Sequence, residues 1–249
     1  MSTRSGLLGR NRVQIFILAA VAYLPLLAND VGRVAADTKA YLYLDPGRLL
    51  ARAPYMWQPE VAMGTVTHQN IGYLWPIGPF FWLGETVGLP DWITQRLWMG
   101  SVLLVAGLGM RWFLRTLGWR GAAMLVSSLA YMLSPYLLNY MDRHSVILLP
   151  WAGLPWLMGL TVRALRTQGW RHAAIFGLVT LTVGGVNASS LLLVGIGPVA
   201  WLAWCALEGS APWRRVISTA ARIGVAFTAT ATWWIVGLAI QSRHGLPTL

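Results

Sequence analysis

Where the first long apolar run ends, the chain sets Asp30, Arg33, Asp37 and Lys39 in one short stretch. A carboxylate can take the proton from a sugar hydroxyl as that hydroxyl attacks an activated carbon, which is the general-base role. If the departing group is a phosphate it needs positive charge, and Arg33, Lys39, Arg48 and Arg143 are available for that. Acid and cation together suit transfer from a phosphorylated lipid. The plainer reading is that Asp30 and Asp37 pair with Arg33 and Lys39 as solvated loop charges. Asp45 has a structural reason to exist, because an Asp before Pro46 is an N-cap carboxylate followed by a proline at the first helical position. Asp30 and Asp37 have no such role in the pattern.

The rest of the polar stretch offers binding groups. His68, Gln69 and Asn70 close it and can hydrogen-bond sugar hydroxyls, and Trp57, Tyr73, Trp75 and Trp82 can stack on sugar rings. Trp and Tyr also form belts at membrane interfaces, so anchoring at the bilayer surface is a second role open to these aromatics. Asp142-Arg143-His144 is a further short polar segment and a contributor at most. The four histidines, at 68, 144, 172 and 244, lack metal-ligand spacing, and the single Cys205 sits in an apolar stretch and reads as packing.

The elements that must position these groups are membrane helices. Of 249 residues, 56% are hydrophobic and 11% charged, with fifteen Trp, which is the composition of a polytopic membrane protein. A spanning helix takes about 20 apolar residues. The sequence predicts an all-α transmembrane domain of about seven spans, at 13–29, 92–113, 122–139, 146–164, 173–186, 191–207 and 216–240. Residues 71–88 are apolar but broken by Pro76, Gly78, Pro79 and Gly84, which predicts an interfacial or re-entrant segment covered by protein. In the first loop, 30–70, the helix begun by Asp45 is expected to lie in the interface, with Arg48 and Arg52 at phosphate level.

Charge sets the orientation. With the N-terminus cytoplasmic, that side holds twelve Arg and one acid, Glu208, while the other holds seven Lys and Arg against seven Asp and Glu. Cytoplasmic loops are enriched in Lys and Arg. The loop 30–70 is therefore expected outside the cytoplasm, on a multi-pass plasma-membrane protein. The basic residues form short juxtamembrane clusters rather than one groove-sized patch, which argues against nucleic acid. They suit anionic lipid, and an acidic cytoplasmic protein is a further candidate partner at the same face. No Asp, Glu or Lys falls in the middle of an expected span, which argues against an ion-coupled transporter. The readings left open are a glycosyltransferase, a lipid-linked sugar flippase or exporter, and a non-catalytic membrane anchor.

Several longer motifs add to this. Asn29-Asp30-Val31-Gly32, Asp37-Thr38-Lys39-Ala40-Tyr41-Leu42-Tyr43-Leu44-Asp45-Pro46, Met56-Trp57-Gln58-Pro59-Glu60, His68-Gln69-Asn70-Ile71-Gly72-Tyr73 and Val183-Gly184-Gly185-Val186-Asn187-Ala188-Ser189 together resemble the N-terminal membrane part of the mycobacterial α-(1→3)-arabinofuranosyltransferases. That resemblance covers nearly all of the chain. It implies the helical scaffold of the C superfamily of glycosyltransferases, a decaprenyl-phosphate-arabinofuranose donor, and as acceptor the arabinan of arabinogalactan and lipoarabinomannan. It implies that residues 1–249 are one domain, the N-terminal fragment of a much longer chain. It also makes Asp30, directly after the first span, the expected base, with Asp37 the runner-up and inversion by direct displacement. Lys39 and Arg33 are the expected phosphate holders, a divalent cation being the alternative.

Overall fold

The first apolar run folds as α1 (Ser2–Ala28), continuous through Pro25, and ends where Asp30 adopts a φ of 44°. Helix ends often take a left-handed residue, and Asp tolerates that conformation because its short polar side chain can bond locally. The computed structural model describes residues 2–37, 41–59, 63–66, 70–141 and 143–244. Lys39, His68, Gln69, Glu60 and Asp142 lie outside the described residues.

The bundle is built around two helices, α5 (Asp91–Thr116) and α8 (Leu148–Thr167). Both carry apolar side chains on nearly every face, as a helix enclosed by others must. On one side α5 packs against α1 and α6 (Ala122–Met132); on the other, α8 packs against α9 (Trp170–Gly184) and α10 (Ala188–Leu207), and α9 against α11 (Trp213–His244). Leu18 and Ala22 of α1, Ala106 of α5, Met132 of α6 and Leu148 of α8 are wholly buried in the shared core. The outer faces of α10 and α11 expose Leu192, Leu193, Ile196, Val199 and Ile217.

Among the described residues six segments, Asn11–Ala28, Asp91–Thr116, Ala122–Tyr140, Ser145–Thr167, Ala188–Leu207 and Trp213–Arg243, are long and apolar enough to cross a membrane. The protein is an all-α, multi-pass membrane domain. The expected span 122–139 is one apolar stretch but two helices, α6 and α7 (Pro135–Tyr140), because Pro135 starts a new helix capped by Ser134. The expected span 173–186 is the short α9 of 15 residues. Its rise is about 22 Å, against about 30 Å of hydrocarbon.

The loop packs against the end of this short helix. Residues 71–88 form a tight turn (Ile71–Leu74) and α4 (Ile77–Thr86), joined by a cis Trp75–Pro76 peptide. Trp75 Nε1 donates to Thr182 Oγ1 at 3.2 Å, near the end of α9. Gly72 lies so close to the Gly185 carbonyl that a Cβ would overlap it. The broken segment therefore comes down to meet α9, and Ile77 and Phe81 of α4 are buried.

The first loop contains α2 (Tyr41–Leu44), α3 (Pro46–Arg52) and a minimal hairpin of β1 (Trp57–Gln58) and β2 (Thr65–Val66), paired Trp57↔Val66 and Gln58↔Thr65. An all-helical expectation missed this hairpin. Met63 and Gly64 take positive φ beside it, and the Trp57 ring occupies the space a Gly64 Cβ would need.

Candidate functional site

Asp37 and Asp30 stand in opposite environments. Asp37 is only 5% exposed. Its Oδ1 accepts the Ser145 backbone N–H at 2.8 Å, and its Oδ2 accepts a short bond from the Ser145 hydroxyl. That hydroxyl in turn accepts the Trp98 indole N–H at 3.1 Å. Indole, hydroxyl and carboxylate thus form a directed chain, in which every donor is oriented by the next acceptor. Trp98 is fixed from the other side by Phe80 and Phe81, whose ring centroids lie 5.3 and 6.2 Å away.

The segment leading to Asp37 is clamped to the start of α5. Gln95, fully buried, gives its amide to Ala35 in both directions: Ala35 N donates to Oε1 at 2.7 Å, and Nε2 donates to Ala35 O at 2.9 Å. The side chain pairs as a neighbouring strand would. Arg96, also buried, donates from Nη2 to the Arg33 carbonyl at 3.4 Å. Ala35 and Arg33 are therefore tied to α5, and Asp37 to the turn Ser145–Ile147 that leads into α8.

Asp30 is exposed and accepts one side-chain bond among the described residues, from Asn29 Nδ2 at 3.2 Å. Arg33 is exposed, its carbonyl held by Arg96 and its own amide donating to the Asp30 carbonyl at 3.1 Å. Arg143 is exposed, two residues from Ser145.

Asp45 behaves as its sequence position predicts, since its carboxylate caps α3 by accepting the Arg48 N–H at 2.8 Å. That cap fixes the face of α3 that carries Arg48 and Arg52. These two arginines line an open cavity of about 420 Å³ together with Leu44, Leu49, Gln58, Asn70 and the capping Asp45 itself. Arg52 and Gln58 continue into a second cavity of about 310 Å³ beside Tyr55 and Trp57. Two guanidinium groups next to apolar and aromatic walls fit a phosphate attached to a hydrocarbon or sugar.

Among the candidates from sequence, Asn70 joins the Arg48–Arg52 cavity, while Asp30 and Arg33 share one turn. Trp57, Trp75 and Trp82 are exposed, whereas Tyr73 is buried and is part of the core. Among the described residues, no three His, Cys, Asp or Glu side chains gather as a metal site. Sequence reasoning passed over Ser145, Trp98 and Gln95. The one signal for them was a run of polar residues, Thr94-Gln95-Arg96, entering an otherwise apolar helix.

Comparison with known proteins agrees with this architecture. The family model described as α-(1→3)-arabinofuranosyltransferase, N-terminal GT-C domain, matches residues 21–249. A relative of that name from Mycobacterium tuberculosis is 34% identical over 92% of this chain, and one from Mycolicibacterium smegmatis is 32% identical over 94%. The chain spans 16% of the length of each. The cryo-EM structure of the arabinofuranosyltransferase AftD from mycobacteria superposes with a TM-score of 0.82 at 31% identity, covering 93% of this chain and 18% of that one. A mutant of the same enzyme gives 0.81 at 30% identity, with the same coverage.

Proposed function

Because the chain belongs to the family of the N-terminal GT-C domain of α-(1→3)-arabinofuranosyltransferases, we propose that it is the donor-handling membrane part of such an enzyme. In this reading arabinofuranose moves from decaprenyl-phosphate-arabinofuranose to the arabinan of arabinogalactan and lipoarabinomannan, on the extracytoplasmic side. An acceptor hydroxyl oxygen attacks the anomeric carbon, and the bond from that carbon to the phosphate oxygen breaks. The phosphate leaves with the electron pair, and the hydroxyl proton passes to Asp30. One displacement inverts the centre, so a β-linked donor gives an α-linked product and no covalent enzyme intermediate is needed.

The observation that carries this assignment is the contrast between the two carboxylates. A general base must come within hydrogen-bond reach of the proton it takes. Asp30 is exposed and accepts one side-chain bond among the described residues, whereas both oxygens of Asp37 are engaged by Ser145 in a buried site. Asp37 is then the anchor of the catalytic loop. Arg48 and Arg52, with Asn70 beside them, are assigned to the lipid phosphate, with Arg33 and Arg143 as further cations on the same end of the bundle. Lys39, His68 and Gln69 keep their assignment from the sequence as contacts to the phosphate and the sugar hydroxyls.

The test is arabinose transfer from a labelled decaprenyl-phosphate donor by the full chain carrying Asp30→Asn, at membrane levels matched to the unaltered protein. A loss of about a hundredfold or more is expected, the usual cost of removing a general base. Near-normal transfer would take Asp30 out of the chemistry. No transfer by the unaltered protein would favour the flippase or anchor function.

A further inference from the structure

The end of the bundle opposite Asp37 carries most of the arginines, and several of them bind the protein to itself. Arg111 donates to Gln14 Oε1 at 3.2 Å and to Asn11 Oδ1 at 2.7 Å, joining α5 to α1. Arg166 donates to the Thr116 carbonyl at 2.7 Å, closing the C-terminal end of α5. Arg163 and Arg171 differ. Among the described residues neither guanidinium has a hydrogen bond or a carboxylate partner, and Arg163 instead lies 4.8 Å from the centroid of the Trp112 ring.

Both face one cavity of about 220 Å³, between α5, α8 and α9. Its wall is a stacked pair, Trp112 and Trp156, with centroids 5.3 Å apart and planes 23° apart. The pair is built in rather than incidental. Trp156 Nε1 donates to the Val105 carbonyl at 3.0 Å, and Gly109 and Gly159 leave the space the two rings fill. His172 also lines the cavity, its Nδ1 engaged with Thr167 Oγ1 at 3.1 Å.

The lining changes character along the helices. Arg171 and His172 stand in the first turn of α9, while Ile175 and Val179 line the same cavity further along it. From His172 to Val179 the helix rises about 10 Å. On α8, Arg163 and Trp156 are separated by the same number of residues and make the same transition. The cavity is cationic where the apolar helices end and apolar about 10 Å deeper. A free anion needs only the first half, whereas an anionic phospholipid needs both.

We propose that this cavity is a binding site for one anionic phospholipid in the leaflet facing the arginine-rich end of the bundle. Its phosphate sits between Arg163 and Arg171, and the start of an acyl chain lies along Ile175, Val179 and the tryptophan pair. The site is separate from the Arg48–Arg52 cavity, which lies in the loop at the other end. It does not depend on the proposed transfer reaction.

The test uses the full chain purified in phosphatidylcholine nanodiscs and titrated with phosphatidylglycerol, read by thermal unfolding and by native mass spectrometry of retained lipid. The unaltered protein is expected to be stabilised and to retain phosphatidylglycerol. Arg163→Gln with Arg171→Gln should weaken the apparent affinity about tenfold or more, the scale of a lost charge-assisted contact. Arg214→Gln with Arg215→Gln removes equal charge from the same end outside the cavity and should leave the affinity unchanged. Ile175→Trp fills the apolar half without altering charge and should also displace the lipid, which keeps the test valid if the arginine pair variant fails to fold. Equal losses in both double variants would mean diffuse surface attraction and overturn the proposal. Equal stabilisation by inorganic phosphate alone would assign the site to a free anion and overturn the lipid.

Discussion

At the scale of single residues, the instructive pair is Asp37 and Ser145. The two are remote in sequence, yet the Ser145 side chain and main chain both point at one buried carboxylate. If Asp37 is an anchor, Asp37→Asn should reduce transfer only in proportion to lost folded protein, whereas a base at that position would give inactive protein at normal membrane levels. Ser145→Ala removes one bond to a charged group and should cost about 1.5–3 kcal/mol of stability. The check is the thermal midpoint in detergent beside specific activity per folded molecule; a collapse of activity with an unchanged midpoint would return Asp37 to the chemistry. Both carboxylates were visible in the sequence as acids without a structural role, but which of them was buried was not. Burial of Asp37 depends on a serine that follows the polar tripeptide Asp142-Arg143-His144, and nothing local distinguishes that serine from the others. The Asp45 cap was legible for the opposite reason, since it is made within four consecutive residues. Asp45→Ala should cost about 1 kcal/mol. Because the cap orients Arg48 and Arg52, the loss should show as a raised KM for the lipid donor with kcat little changed.

At the scale of elements, the loop that carries the candidate site is held down by contacts that sequence periodicity does not record. The long spans were legible because about 20 apolar residues in a row rarely fold as anything but a membrane helix. The hairpin at Trp57 and Val66 was not, since strands of two residues carry no period. The broken segment 71–88 could be recognised as broken, but its partner could not. That partner is the end of the short helix α9, and the closest approach is backbone on backbone, Gly72 against the Gly185 carbonyl. Gly72→Ala should therefore cost about 1–3 kcal/mol, as overpacking does, and should lower transfer by shifting the segment that adjoins Asn70. Gly195→Ala is the control, because a Cβ there meets open space in the middle of α10. It should be neutral or slightly stabilising, by up to about 1 kcal/mol. Equal effects of the two substitutions on the thermal midpoint would mean that the Gly72–Gly185 approach does not position the loop.

At the scale of the whole molecule, the two ends of the bundle are chemically distinct, and that polarity makes its orientation measurable. Val31 lies just beyond α1 at the carboxylate end, and Trp119 lies just beyond α5 at the arginine end; both are well exposed. The native Cys205 is buried, so an introduced cysteine can report alone. A maleimide that cannot cross membranes should label Val31→Cys in intact cells and Trp119→Cys only after permeabilisation, because arginine-rich ends are retained in the cytoplasm. The reverse pattern would invert the orientation and move the candidate site to the cytoplasmic side. The same reagent decides the crossing number. Trp170 is exposed at the start of α9 and Ser189 at the start of α10, so the short helix is the main element separating them. If α9 crosses by meeting the descending Ile71–Leu74 turn, Trp170→Cys should behave like Trp119→Cys, and Ser189→Cys like Val31→Cys. Identical behaviour at positions 170 and 189 would leave six crossings and place α9 on one side. The contact of Trp75 with Thr182 would then lie on the side of Trp170, which the apolar segment Ser145–Thr167 that contains α8 makes hard to accommodate. Opposite labelling at those two positions is therefore the expected result, and with it seven crossings.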